Sequence, residues 1–353
     1  MSYADGWSAL NLEMPARVPR TEYSIDHYHT PMLRHVSGIP LEEDSPAGLR
    51  RQAGLIFRKK WNYDFCWNIL INSQPFGDLH TRMGHASYAE RGADIDREIM
   101  CPFAEPEDVL EFDPTEAFGA VNIAAARDAF SRHYADVRST YPEEVATTGV
   151  YTTLVSGLIE LFGWDMLLLA AGIDQRGFGE VADRYAGWMQ GYMEALAESD
   201  AECVMIHDDI CWTSGPFIHP DWYRKFVFPN YKRYFAPIRE SGKKLIYTSD
   251  GNFTQFVDDL VDCGVNGFVM EPCTDMRYIA ERYGRTHSFI GNADTRILLS
   301  GTKEDIENEV RRCMDIGKSC PGFFMAVGNH IPANTPVESC LIYNEAYERL
   351  SRR

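Results

Sequence analysis

Positive charge is scarce in this chain: 34 lysines and arginines face 52 aspartates and glutamates, for a formal net charge of −18. So acidic a surface argues against binding nucleic acid or anionic lipid through phosphates. There is no C-x-x-C pair. The nine cysteines are an odd number, scattered, and several, such as Cys66 and Cys203, sit inside apolar runs. That usage suits reduced, buried thiols in a cytoplasmic protein rather than a disulfide framework. No run approaches the ~18 apolar residues of a membrane span, and the opening MSYADGWSALNLEMPARVPR has no charged-then-apolar signal pattern. No strand-like run leads into G-x-G-x-x-G or G-x-x-x-x-G-K-[ST], so nucleotide-binding forms of an α/β fold lose support. Internal repeats, low-complexity stretches and linkers are also missing. The expectation is a cytoplasmic protein of one domain, without nucleic-acid or membrane partners; the sequence allows a homodimer.

Apolar residues make up 45% of the chain, ample for a large core. From residue 149 onward, strand-like and helix-like runs alternate. GVYTTLVSG, AECVMIHDDI, KKLIYTSDG, VNGFVMEP, HSFIGNAD and GFFMAVGNHIP read as strands, and YDFCWNILINSQPFG ahead of them as another. Near-continuous apolar strands separated by helices indicate a parallel sheet covered on both faces. Seven such units are visible and the eighth is expected before residue 149, which predicts an α/β fold of the (β/α)8 TIM-barrel type with N-terminal helical decoration. Residues 1–60 are assigned to the lead and first helix, and 61–353 to the barrel. TEAFGAVNIAAARDAFSRHYADVRSTYP is read as one helix, and the segment from Gly77 to Pro114 as a long excursion.

The C-terminal ends of these strands deliver Asn72 and Ser73; Tyr151 and Thr152; His207, Asp208 and Asp209; Asp250 and Asn252; Glu271; Asn292 and Asp294; and Asn329 and His330. In a barrel these ends converge on one face, where barrel enzymes place their sites. Taken singly, Asp294 and Asn252 read as helix or turn caps. Glu271, before Pro272, caps nothing obvious and reads as functional. Strand alternation means that either His207 and Asp209 point inward together or Asp208 does so alone. Carboxylates crowded near Asp250 and Glu271 would repel, raising one pKa and making a general acid. A divalent ion held by oxygens and a histidine is the rival use of the cluster; a hydrogen-bonded structural acid is the bland one. His80 and His85, in GDLHTRMGHASY, are either substrate-loop residues or surface histidines.

HDDICWTSGPFIHPDWYRKFVFPNYKRYFAPIRESGKKLIYTSDGN, GVNGFVMEP, FIGNADTRILLSGTKEDIENEVRR and GNHIPANTPVES resemble the uroporphyrinogen decarboxylase superfamily, over roughly residues 105–350. The resemblance implies a distorted (β/α)8 barrel with N-terminal helices. It also implies one of two activities: decarboxylation, or methyl transfer in concert with corrinoid proteins. Zinc-dependent methyltransferases of that superfamily carry H-x-C-G-N where this chain has TSDGN, so that their ligands fall on Thr248, Asp250 and Asn329. Such a set lacks thiolates, and zinc is not expected. The residues of true uroporphyrinogen decarboxylases fall on Ile71, Gly157 and Asn329, and a porphyrinogen with many carboxylates would need a basic cleft. The resemblance therefore implies a methyltransferase that demethylates a small O- or N-methyl donor onto the cobalt of a partner corrinoid protein. Asp209, Asp250, Glu271, His207 and His330 are then the catalytic candidates, and Tyr151, Asn252, Asn292, Asn329 and His80 the substrate-binding ones. The alternative is a decarboxylase of a small or tetrapyrrole carboxylic acid.

Overall fold

The computed structural model describes residues 3–23, 25–81, 87–89, 92–94 and 101–353. Strands β1 (Ser87–Ala89) and β2 (Gly92–Asp94) form an antiparallel hairpin within the long excursion. The remaining strands are β3 (Thr148–Val150), β4 (Cys203–His207), β5 (Lys244–Ser249), β6 (Gly267–Met270), β7 (Ser288–Ala293) and β8 (Phe323–Val327). They form one parallel sheet whose order is the chain order.

Two extended segments close this sheet into a ring. Phe65 bridges Val145 and Ile71 bridges Val150, both in parallel, which places 65–71 beside β3. On its other side the Asp64 N–H donates to the Arg20 carbonyl at 2.8 Å, and Thr21 Oγ1 donates to the Phe65 carbonyl at 2.7 Å. Arg20 in turn bridges Met325 of β8, with the Met325 N–H donating to the Pro19 carbonyl at 2.8 Å. The eighth stave is thus residues 18–21, inside the expected 1–60 lead. Its sequence hides it because its central residue is arginine. Arg20 is fully buried, 4.2 Å from the Trp61 ring centroid and 4.7 Å from that of Tyr347, and paired with Glu22 at 3.3 Å. Cation–π contact and an ion pair replace the water that the guanidinium gives up.

The barrel interior is apolar below its mouth. Phe65, Val145, Cys203, Ile246, Val269, Ile290, Phe324 and Ala326 fill it, and Ala9 and Leu10 of the helix Tyr3–Leu10 pack into the same cluster. Helices cover the outside, several of them started by a carboxylate that accepts the first free N–H groups. Asp174 does this for Gln175–Glu198 and Asp275 for Met276–Tyr283.

Two expected elements differ. GVYTTLVSG is a strand only as far as Val150, and Val155 opens the helix Val155–Ile173, which runs through a break at Gly163 (φ 70°). Its β-branched run reads as strand, but Asp208 accepts the N–H groups of Val155 and Ser156 and fixes a helix start there. This helix is long and apolar enough to cross a membrane, yet Leu158, Leu161, Phe162 and Leu167 are fully buried in the core. The expected long helix over 115–142 is two, Pro114–Phe118 and Ile123–Thr140, because Gly119 takes φ 74° between them.

Candidate active site

Strand alternation builds the site in layers. On β5, Ile246 belongs to the barrel interior. Two residues on, Thr248 faces the same way, and two further on so does Asp250. On β4 the residue in register with Thr248 is His207, and Asp209 follows on the same face. Above Val269 on β6 stands Glu271. His207 and Thr248 thus form a buried layer, each 5% exposed, and Asp209, Asp250 and Glu271 form the half-buried layer above it.

Asp208 turns the other way. Fully buried in the wall, it accepts the Val155 N–H at 3.1 Å, the Ser156 N–H at 2.5 Å and the Tyr231 hydroxyl at 2.5 Å. Burial pushes its carboxyl up to about 7, against the pull of those donors. Its neighbour's N–H donates to Ser156 Oγ at 2.7 Å, so the helix start and the Asp209 backbone are fixed together. The open question of alternation is settled: His207 and Asp209 face inward as a pair.

The three mouth carboxylates share a short network. His207 Nε2 lies 3.3 Å from Asp209 Oδ1, which also accepts the Asp250 N–H at 2.8 Å. Glu271 Oε2 accepts the Gly251 N–H at 2.8 Å, and its Oε1 accepts Asn329 Nδ2 at 2.8 Å. The same amide is 3.3 Å from Asp250 Oδ2. Gly251 can serve here because φ 77° and a Cβ direction only 2.2 Å from the Cys211 carbonyl leave no room for a side chain. Withdrawal from water, then the charges of Asp209 and Glu271, push the Asp250 carboxyl well above the ordinary range, while Asn329 partly offsets them. Crowding thus pushes the Asp250 carboxyl toward its protonated form. A cleft of about 530 Å³ opens over Asp250 and Glu271, lined also by Cys211, Trp212, Thr213 and Ser214.

Aromatic rings wall the mouth. Tyr151 stacks on His207 with centroids 3.7 Å apart. Tyr23 stacks on Trp67 at 4.4 Å and approaches His330 at 5.5 Å. Burial, then the charges of Asp250 and Glu271, raise the Tyr23 hydroxyl well above its usual value, which places this ring beside the acids. Trp67 lies within the bridging segment 65–71 and Tyr23 just past the stave at 18–21, so neither stands at a strand end legible in the sequence; the clustering of aromatics in YDFCW was the one signal, and it reaches Trp67 alone.

Several expected site residues have other duties. The Asn292 amide, 1% exposed, donates to the carbonyls of Glu271 and Thr274 and accepts from Arg312, so it braces the wall instead of facing a substrate. Asn252 Oδ1 accepts from the N–H and hydroxyl of Thr254, as a turn cap does, and Asp294 caps Thr295–Ser300. His330 is held neutral: burial, then His207, pull its pKa down to about 4, so it cannot be the acid near neutrality. His80 contacts the Thr81 carbonyl at 2.7 Å and lies 3.6 Å from Glu160. His85 lies outside the described residues.

His207, Asp209 and Asp250 could bring three ligand atoms within 4.8 Å of one another. Zinc at the superfamily's positions fits poorly. Asn329 presents an N–H donor to Asp250, and Thr248 offers only a neutral hydroxyl.

A closed parallel barrel with acids, amides and rings gathered at the C-terminal strand ends is the arrangement of a TIM-type barrel enzyme. The family profile for uroporphyrinogen decarboxylase matches residues 164–350. The chain belongs to the uroporphyrinogen decarboxylase family. It is 27% identical over 161 residues to a uroporphyrinogen decarboxylase of Syntrophotalea carbinolica, covering 46% of this chain and 45% of that protein. A methylcobamide:CoM methyltransferase of Methanosarcina acetivorans is 26% identical over 127 residues, covering 36% and 37% respectively. The matched stretches thus span less than half the length of these relatives. A solved methyltransferase from Methanosarcina mazei shares the fold over 97% of this chain and 96% of its own, with TM-score 0.63 and 18% identity.

Proposed function

We propose that the protein transfers a methyl group from a small methylated donor to the corrinoid of a partner protein. The observation that carries this reading is the mouth itself: Asp250, its carboxyl pushed toward the protonated form, between Asp209 and Glu271 beside a cleft of about 530 Å³. The corrinoid, as acceptor substrate, supplies a nucleophilic cobalt. Residues of this chain hold the donor with its methyl group outward and stand against its leaving atom. Asp250 can hand its proton to a leaving oxygen, a contribution of roughly 10²–10⁴-fold in rate for a positioned acid. Tyr151 and His207 form one flat wall for the donor. Glu271, tied by Gly251 and Asn329, is fixed in place.

The kinship with a methylcobamide-using enzyme supports this reading. The kinship with uroporphyrinogen decarboxylases supports the competing one, decarboxylation of a carboxylic acid. The site favours the first, because Asp209 and Glu271, with which no lysine or arginine pairs among the described residues, disfavour an anionic substrate. The test is conversion of cob(I)alamin to methylcobalamin, followed by absorbance, with a panel of methoxyaromatics and methylated amines. No conversion with any donor, together with carbon dioxide release from a carboxylated compound, would establish the decarboxylase instead.

A further inference from the structure

We propose that the acidic mouth recognises a methylated ammonium group, so that the methyl donor is an N-methyl cation. This inference rests on the methyl-transfer reading for its consequence, but not for its binding test.

Its first support is charge. Asp209, Asp250 and Glu271 converge on one place, and among the described residues no lysine or arginine forms an ion pair with any of them. Their partners are backbone N–H groups, the Asn329 amide, the Cys273 thiol and His207. His207 aside, these donors order the carboxylates without bringing a positive charge. Buried or half-buried acids are ordinarily matched by a cation. Among the described residues no lysine or arginine brings that charge, and under this proposal it belongs to the ligand.

The second support is Thr248. Its Oγ1 is buried and has no hydrogen-bond partner, while the residue as a whole is 5% exposed. Strand alternation and its register with His207 aim it into the barrel beneath Asp250. An unsatisfied buried hydroxyl costs about as much as a lost hydrogen bond unless a ligand meets it. The third support is the rings. Tyr151 lies flat on His207, the Tyr23–Trp67 stack faces the neutral His330, and Trp212, 45% exposed, lines the cleft. Aromatic faces attract a soft organic cation without competing for hydrogen bonds, and they favour it over a hydrated metal ion.

With such a donor the carbon–nitrogen bond breaks, the nitrogen keeps the electron pair and leaves as a neutral amine, and the methyl group passes to the corrinoid acceptor. No proton has to be delivered. The carboxylates hold the positive charge in place until that bond breaks.

The experiment is calorimetric titration of the full chain with choline and with its uncharged tert-butyl analogue. Choline is expected to bind at least tenfold more tightly. Glu271→Gln and Asp209→Asn, checked as folded by circular dichroism, should each reduce that preference severalfold, and added salt should weaken choline alone. Equal binding of the two probes, or preference for the uncharged one, would overturn the proposal. Methylcobalamin formation from methoxyaromatics alone would also overturn it while leaving methyl transfer intact. Selective choline binding, with no methyl transfer from any ammonium or methoxy donor, would support the cation site and remove the methyl-transfer reading.

Discussion

Asn329 ties down Glu271 across the barrel mouth, its Nδ2 lying 2.8 Å from Glu271 Oε1. Because the same nitrogen reaches Asp250, one amide separates two acids that would otherwise meet. Asn329→Asp should replace the clip with a fourth carboxylate. The expected result is a protein destabilised by about 1–3 kcal/mol at neutral pH, from lost charge-assisted hydrogen bonds and new repulsion. Most of that loss should return on acidification, as read from thermal melts between pH 5 and 8. A melt independent of pH would show that the two acids do not feel position 329.

Asp250 carries a linkage of definite sign. Its folded pKa is raised, so the folded state holds a proton that the unfolded state has released. Its stability contribution is complete below the unfolded value, about 3.9, and is lost as pH rises through the folded one. Asp250→Asn should therefore match the parent near pH 4 and melt higher than it at neutral pH, while methyl transfer from a methoxy donor, which draws on its proton, falls at least tenfold. A variant that melts lower at every pH would contradict the assigned protonation.

For the wall formed by Tyr151 and His207, shape and hydroxyl can be separated. Tyr151→Phe keeps the stacked ring and should retain most of the transfer rate. Tyr151→Ala removes it and should raise KM more than it lowers kcat, since the ring holds the donor without touching a proton. Steady-state kinetics in the cobalamin assay distinguish the two.

Asp208 belongs to the wall but holds up the site. Asp208→Ala leaves the Val155 and Ser156 N–H groups without their buried acceptor, and a loss of about 2–4 kcal/mol is expected. Asp208→Asn keeps one acceptor oxygen and should cost less. The parent carboxyl, at about 7 when folded, should itself stabilise less as pH rises from 4 through 7. Urea unfolding at two pH values measures both effects.

Strand ends were readable in the sequence because apolar runs stop abruptly at polar residues, and the structure brings His207, Asp209, Asp250, Glu271 and Asn329 together as that pattern implies. Sequence could not choose between the faces of HisAspAsp at 207–209. The choice is made by the Val155 and Ser156 N–H groups, about fifty residues away, which capture Asp208. Asn292 looked like Asn329 in sequence, but Arg312 on a later helix claims its amide. Tyr23 went unseen for a different reason. It lies in a segment whose strand character depends on burying an arginine, and no periodicity announces that.

The stave at residues 18–21 has a consequence for how the molecule is made. Glu22, beside it, accepts the Val327 N–H across 305 positions of sequence, and Tyr343 from the final helix donates to the same carboxylate. The ring has a seam, and the seam joins stretches of chain that a ribosome makes about three hundred residues apart. Until β8 is synthesised, Arg20 has neither its strand partner nor the rings of Tyr343 and Tyr347 around it. The nascent barrel must therefore wait as an open, curved sheet with an unpaired edge, the condition in which parallel sheets are slow and prone to stick to one another. Tyr23 reaches the mouth only when this seam shuts, so the finished aromatic wall is itself a sign that folding has ended.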